Sequence, residues 1–106
     1  MAKIKLSELD DFTPLTGFHA KLVHTENMTI AHWTIDAGGE LPEHSHPQEQ
    51  IANVIEGEFE LTLDGLAHRL TAGDVLVIPA NAPHSGRSLT DCKIIDVWHP
   101  AREDYR

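Results

Sequence analysis

Apolar and polar positions alternate along much of this chain with a period of two, in short runs separated by turn residues. Gly57-Glu58-Phe59-Glu60-Leu61-Thr62-Leu63 is the clearest case. Phe59, Leu61 and Leu63 fall on one face, and Glu58, Glu60 and Thr62 on the other. Met28 to Ile35 is rich in β-branched residues, and Val75-Leu76-Val77-Ile78 is a short, fully apolar run that Pro79 stops. Cys92 to Trp98 reads as a further strand, with Ile94, Asp96 and Trp98 on one face and Ile95 and Val97 on the other. Turn signals recur about every ten residues, at Asp36 to Gly39, Glu56-Gly57, Asp64-Gly65, Ala72 to Asp74 and Asn81 to Pro83. No long segment keeps a 3.6-residue period. Many short, evenly spaced strands predict an all-β chain, closed as a barrel or folded as a sandwich.

The 106 residues suit a single domain, residues 1–106, with its core over about 18–99, an N-terminal arm and a C-terminal tail. Apolar content of 41% is enough to fold around one modest core. Eight Lys+Arg against seventeen Asp+Glu give a net charge of −9 and no basic stripe. That balance argues against nucleic acid or an anionic membrane as partner. The segment Met1 to Glu8 has no apolar signal-like core, so the expected location is the cytoplasm. Cys92 is the lone cysteine, which leaves no intramolecular disulfide; its apolar run marks it as a buried strand residue. Small barrels often pair through edge strands, so a homodimer is expected.

The chemistry concentrates in Glu43-His44-Ser45-His46-Pro47-Gln48-Glu49-Gln50, answered by His84. Two imidazoles at i and i+2 on a strand point to one face, and a third from a distant strand can complete the set. Three imidazoles with an amide or carboxylate oxygen suit a divalent transition metal. Among the other histidines, His32 shares strand parity with Met28, Ile30 and Thr34 and is expected to face the barrel interior as a hydrogen-bonded residue. Asp96, an acid on an apolar strand face beside Trp98, is either a satisfied structural carboxylate or a catalytic base; both readings stand.

These residues fall into two spaced motifs. Gly38-x5-His44-x-His46-x3-Gln50-x6-Gly57 resembles the first motif of the cupins, with Gln50 where cupins usually carry Glu. Gly73-x5-Pro79-x-Asn81-x2-His84 resembles the second, with Asn81 in place of a Gly and Ser88 in place of the closing Asn. Asn tolerates left-handed backbone best among non-glycine residues, so Asn81 is a mild change. The resemblance implies a double-stranded β-helix, a jelly-roll barrel, with a metal held by His44, His46, Gln50 and His84. Four residues of strand span roughly 13 Å, so Gln50 can share that metal only if Pro47 breaks the strand. Gln50 could instead line the barrel without coordinating, and Glu49 could replace it if the register slips. Four neutral ligands leave the ion its full charge, which favours an anionic ligand and suits nickel, zinc, iron or manganese.

The tail Asp96-Val97-Trp98-His99-Pro100-Ala101-Arg102-Glu103-Asp104-Tyr105 resembles that of small cupins from pectin and alginate catabolism, which open the ring of 4,5-unsaturated uronates. Those proteins also tend to carry Gln at the fourth metal position. The resemblance implies a carboxylate-bearing sugar as substrate. Asp96 would move the proton, Arg102 would orient the carboxylate and Trp98, often Phe in that group, would stack on the sugar. Arg102 could instead form a surface ion pair with Glu103 or Asp104, worth little. Two other functions remain compatible with the motifs: a metal-dependent dioxygenase, and a non-enzymatic sugar-binding or sensor cupin.

Overall fold

A computed structural model describes residues 3–106; Met1 and Ala2, part of the N-terminal segment read above, lie outside them. Ten strands follow one another: β1 (Phe12–Leu15), β2 (Phe18–His24), β3 (Thr29–Ile35), β4 (Glu40–His44), β5 (Glu49–Glu56), β6 (Glu58–Leu63), β7 (Leu66–Thr71), β8 (Val75–Ile78), β9 (His84–Ser88) and β10 (Cys92–His99). They form a six-stranded sheet in the order β1-β2-β3-β10-β5-β8 and a four-stranded sheet in the order β4-β9-β6-β7. Every strand pair is antiparallel. This is the jelly-roll architecture anticipated from the motifs. Among the described residues no helix is long and apolar enough to cross a membrane.

The inner faces of the two sheets supply one core. Strand β6 buries Phe59 and Leu61, as its alternation requires, and β10 buries Ile94 and Trp98. Strand β3 inverts the expected parity. It buries Ala31, Trp33 and Ile35, so His32 takes the outer face. The larger apolar bulk of Trp33 and Ile35 decides which face turns inward, and the small Ala31 conceals that pattern in the sequence. Strand β8 is the last in its sheet, and Val75 and Val77 remain 55% and 61% exposed. Cys92 is buried and free, and burial pushes its thiol up.

Two backbone positions explain why the motifs need their residues. Gly57 joins β5 to β6 at φ +88, and a Cβ there would collide with the Asp91 carbonyl and the Cys92 sulfur. Asn81 sits at φ 64, the left-handed backbone that Asn tolerates. From there its N–H donates to the His46 carbonyl at 2.8 Å, tying the turn before β9 to the loop after β4.

The C-terminal tail is not a loose arm. Ala101 and Arg102 are each 5% exposed. The Arg102 N–H donates to Thr29 Oγ1 at 2.9 Å, and the Gln48 amide donates to the Ala101 carbonyl at 3.2 Å. These bonds fold the tail back onto β3 and onto the turn before β5.

Candidate metal centre

His44 closes β4, His84 opens β9, and the two are register partners. His46 does not share their strand, as the i and i+2 spacing suggested; it lies in the connection after β4 ends. Convergence comes instead from the Asn81–His46 bond, which draws the two segments together. One ring nitrogen from each of the three histidines lies within 4.8 Å of the others.

Each imidazole has its Nδ1 tied to a carbonyl two residues away. His44 reaches Pro42 at 3.0 Å, His46 reaches Gln48 at 3.0 Å and His84 reaches Ala82 at 2.8 Å. A carbonyl can only accept, so these bonds assign the proton of each neutral ring to Nδ1 and leave the Nε2 lone pairs free. Burial lowers the His46 pKa to about 4, helped by the nearby Arg102 charge, and burial also lowers that of His84. Neutral imidazoles oriented by such outer hydrogen bonds are the metal-binding form. The three histidines are positioned to hold a metal, and their chemistry fits a divalent transition ion.

Gln50 is the second residue of β5 and is 6% exposed. Its Oε1 lies 3.1 Å from His46 Nε2 and accepts the Trp98 indole N–H at 2.9 Å. Glu49, one residue earlier, is exposed on the opposite face. The strand break at Pro47 therefore returns Gln50, and not Glu49, to the histidines.

Asp96 and Trp98 point inward from β10. Asp96 Oδ2 accepts the Trp33 indole N–H at 3.0 Å, while its buried Oδ1 has no hydrogen-bond partner. Burial pushes the carboxyl up to about 6, against the opposing pull of Gln50, Trp33 and Arg102. Trp98 is 2% exposed, with the Arg102 guanidinium 4.9 Å from its ring and Tyr105 set edge-on at 5.5 Å. Little of the indole is left for a sugar to stack on.

Arg102 meets Asp104 with both arms of its fork, Nε to Oδ1 at 3.0 Å and Nη2 to Oδ2 at 2.9 Å. The ion pair weighed from sequence exists, but Arg102 itself is buried and only Asp104 is exposed. His44, Gln50, His84, Asp96, Trp98 and Arg102 all line one cavity between the sheets. Trp33 and Tyr105, to which the sequence motifs assign no role, line it too. The bulk of Trp33 and Ile35 at alternate positions of β3 is the one signal for Trp33; nothing in the tail's pattern points to Tyr105.

Residues 31–98 match the cupin domain family, Cupin_2. This chain is a cupin. KdgF from a Halomonas species is 30% identical, with a TM-score of 0.90 over 98% of this chain and 97% of that one. An RmlC-like cupin from Shewanella frigidimarina is 29% identical, with a TM-score of 0.89 over 94% of this chain and 91% of that one. Among curated proteins, the HTH-type transcriptional regulator PuuR of Escherichia coli is 34% identical over 91 residues, 79% of this chain. The cupin spans about half of that regulator's length, 49%.

Proposed function

We propose that this cupin binds one divalent transition metal through His44, His46, His84 and Gln50 and opens the ring of a small 4,5-unsaturated uronate. The observation that carries the reading is the buried, unpartnered Oδ1 of Asp96, a residue that lines one cavity with His44, His84 and Arg102. A carboxylate oxygen left without a donor is a seat for a ligand hydroxyl. When bound, the metal supplies positive charge that anchors the substrate carboxylate or a ring oxygen. The tail resemblance supports the uronate assignment, and the likeness to KdgF along nearly the whole chain supports a small cupin of the same build.

Asp96 takes the proton of the anomeric hydroxyl as the ring carbon–oxygen bond breaks. The electron pair of that bond goes to the ring oxygen, which becomes an enolate, and the anomeric carbon becomes an aldehyde. Return of the proton to the former alkene carbon gives the keto sugar. The sum is an isomerisation and needs no oxidant or reductant. Arg102 holds the substrate carboxylate through the N–H groups that Asp104 leaves free. The test follows the vinyl proton of unsaturated uronates by NMR with metal-loaded protein. Loss of that signal in the wild type, and not in Asp96→Asn, supports the reading; a signal stable in both rejects it.

The similarity to PuuR favours a second reading, a ligand-sensing cupin. Saturable uronate binding by the wild-type protein without turnover selects this one.

We also propose a homodimer, formed through a sheet face in place of an edge. Val23, Ile30, Val97, Ile51 and Val77 are successive register partners and make an apolar row across five strands. The adjacent row is Lys21, His32, Ile95, Asn53 and Val75. Neither row holds a carboxylate, in a chain of net charge −9. Two copies can meet there with the least repulsion, in a self-complementary contact. Sedimentation should give a dimer for the wild type and a monomer for Ile51→Asp; a monomeric wild type refutes the proposal.

A further inference from the structure

We infer that Trp98 is a positioning residue that fixes which end of the Gln50 amide faces the histidines. The inference rests on Gln50 as the fourth metal ligand. An amide has two ends of similar shape and opposite hydrogen-bonding character, and only its neighbours decide which end points where. Here the neighbours agree. The Trp98 indole N–H can only donate, and it ends on Gln50 Oε1 at 2.9 Å. A turned amide would set its NH2 group against that donor.

The consequence falls on His46. Its Nδ1 proton is committed to the Gln48 carbonyl at 3.0 Å. Its Nε2 therefore presents a lone pair to Gln50 Oε1 at 3.1 Å, and that oxygen is also an acceptor. Two acceptors so close repel unless a cation lies near both. Two ligand atoms at right angles on one metal, each about 2.1–2.2 Å from it, are about 3.0 Å apart. With the amide turned, its NH2 would donate to His46 Nε2 and close the site by an ordinary hydrogen bond. Trp98 opposes that arrangement, and so does the Asp96 carboxylate, which draws on the N–H end of the Gln50 amide.

A carbonyl oxygen has two lone pairs, so one can serve the indole while the other serves a metal. The indole is itself held by the Arg102 guanidinium, 4.9 Å from its ring, and by the edge of Tyr105 at 5.5 Å. A Phe at this position would keep the packing and lose the donor. The choice of Trp over Phe thus adds to the cavity wall a donor that holds Gln50 in its ligating sense.

The test uses Co²⁺ as the probe and measures affinity by chelator competition, with the visible band reporting coordination. The proteins are wild type, Trp98→Phe, Gln50→Ala and the double variant. Trp98→Phe should weaken Co²⁺ binding about tenfold and alter the visible band, as loss of an outer-shell partner does. The double variant should bind no more weakly than Gln50→Ala alone. Additive losses, or Trp98→Phe binding like wild type while Gln50→Ala is weakened, overturn the inference and leave the metal centre standing. Gln50→Ala binding like wild type removes the fourth ligand, and the inference with it. Should Trp98→Phe not fold, the indole N–H signals of ¹⁵N-labelled wild type decide. A Trp98 signal that moves on adding Zn²⁺, and does not move in Gln50→Ala, supports the inference. A signal that stays still, or moves in both, overturns it.

Discussion

Trp33 donates its indole N–H to Asp96 Oδ2 at 3.0 Å, one oxygen of a carboxylate whose other oxygen is buried and unpaired. The bond joins the neighbouring strands β3 and β10, and it holds Asp96 in one rotamer with Oδ1 uncommitted. A structural carboxylate would have both oxygens satisfied, since each bare buried acceptor costs about 1–3 kcal/mol. This arrangement weighs towards a carboxylate kept for a ligand.

Asp96→Asn should therefore abolish uronate turnover with little change in metal content. Loss of one acid–base group costs about 10²–10⁴ in rate. Asn is nearly isosteric and keeps an acceptor for Trp33, so the melting temperature should not fall. If activity drops only in step with the folded fraction, Asp96 is structural.

The same residue sets a pH signature in the metal-free protein. Its folded pKa, about 6, lies above the ordinary 3.8. The stability it contributes is then fully present below pH 3.8 and lost as pH rises through about 6, by up to about 3 kcal/mol. His46 acts in the opposite sense: with a folded pKa of about 4 against 6.5, its contribution is present above pH 6.5 and lost as pH falls towards 4. Urea unfolding of wild type and Asp96→Asn between pH 4 and 7 separates the two. The wild type should gain on the variant as pH falls; parallel curves would show an unperturbed Asp96.

Much of this arrangement could be read before the fold was known, and the exceptions have physical reasons. Strand β6 announces itself because Phe59 and Leu61 alternate with polar residues. The histidine spacing survives because the motif glycines fix the turns around it, Gly57 at φ +88 among them. The inward face of β3 was hidden because both faces carry apolar residues, Ile30 against Ala31 and Trp33. The burial of Arg102 was hidden because its partners, Asp104, Trp98 and Tyr105, act through geometry and not through periodicity. The Trp98–Gln50 bond depends on the register of β10 against β5, in which the two residues are partners. No local pattern encodes that pairing.

His84→Ala should remove stoichiometric metal binding. The variant loses one of three converging imidazoles and opens a void at a residue 2% exposed. Added Zn²⁺ should raise the melting temperature of the wild type and not that of the variant, because only a bound ligand stabilises the folded state. Equal shifts in both would place the metal elsewhere.

Gln50→Glu should keep the fold and the metal and weaken the binding of anionic ligands. The substitution lowers the net charge of the centre by one, while the carboxylate can still accept the Trp98 N–H. Titration of a uronate against the metal-loaded forms measures the difference. Equal affinities would mean that the substrate carboxylate does not meet the metal.

Asp104→Asn should weaken uronate binding by about tenfold, with metal content unchanged. Asp104 holds Arg102 by two charge-assisted bonds, at 3.0 and 2.9 Å, and so fixes the plane of a guanidinium that also lies over Trp98 and Tyr105. A bond to a charged group is worth about 1.5–3 kcal/mol, and Asn keeps only part of that geometry. Arg102 would then pay more ordering entropy on meeting a carboxylate, which should appear as a higher KM with kcat nearly constant. The opposite result is equally readable. Tighter uronate binding in Asp104→Asn would show that Asp104 occupies the place of the substrate carboxylate on the Arg102 fork and must be displaced. Calorimetric titration of the uronate into metal-loaded wild type and variant tells the two apart.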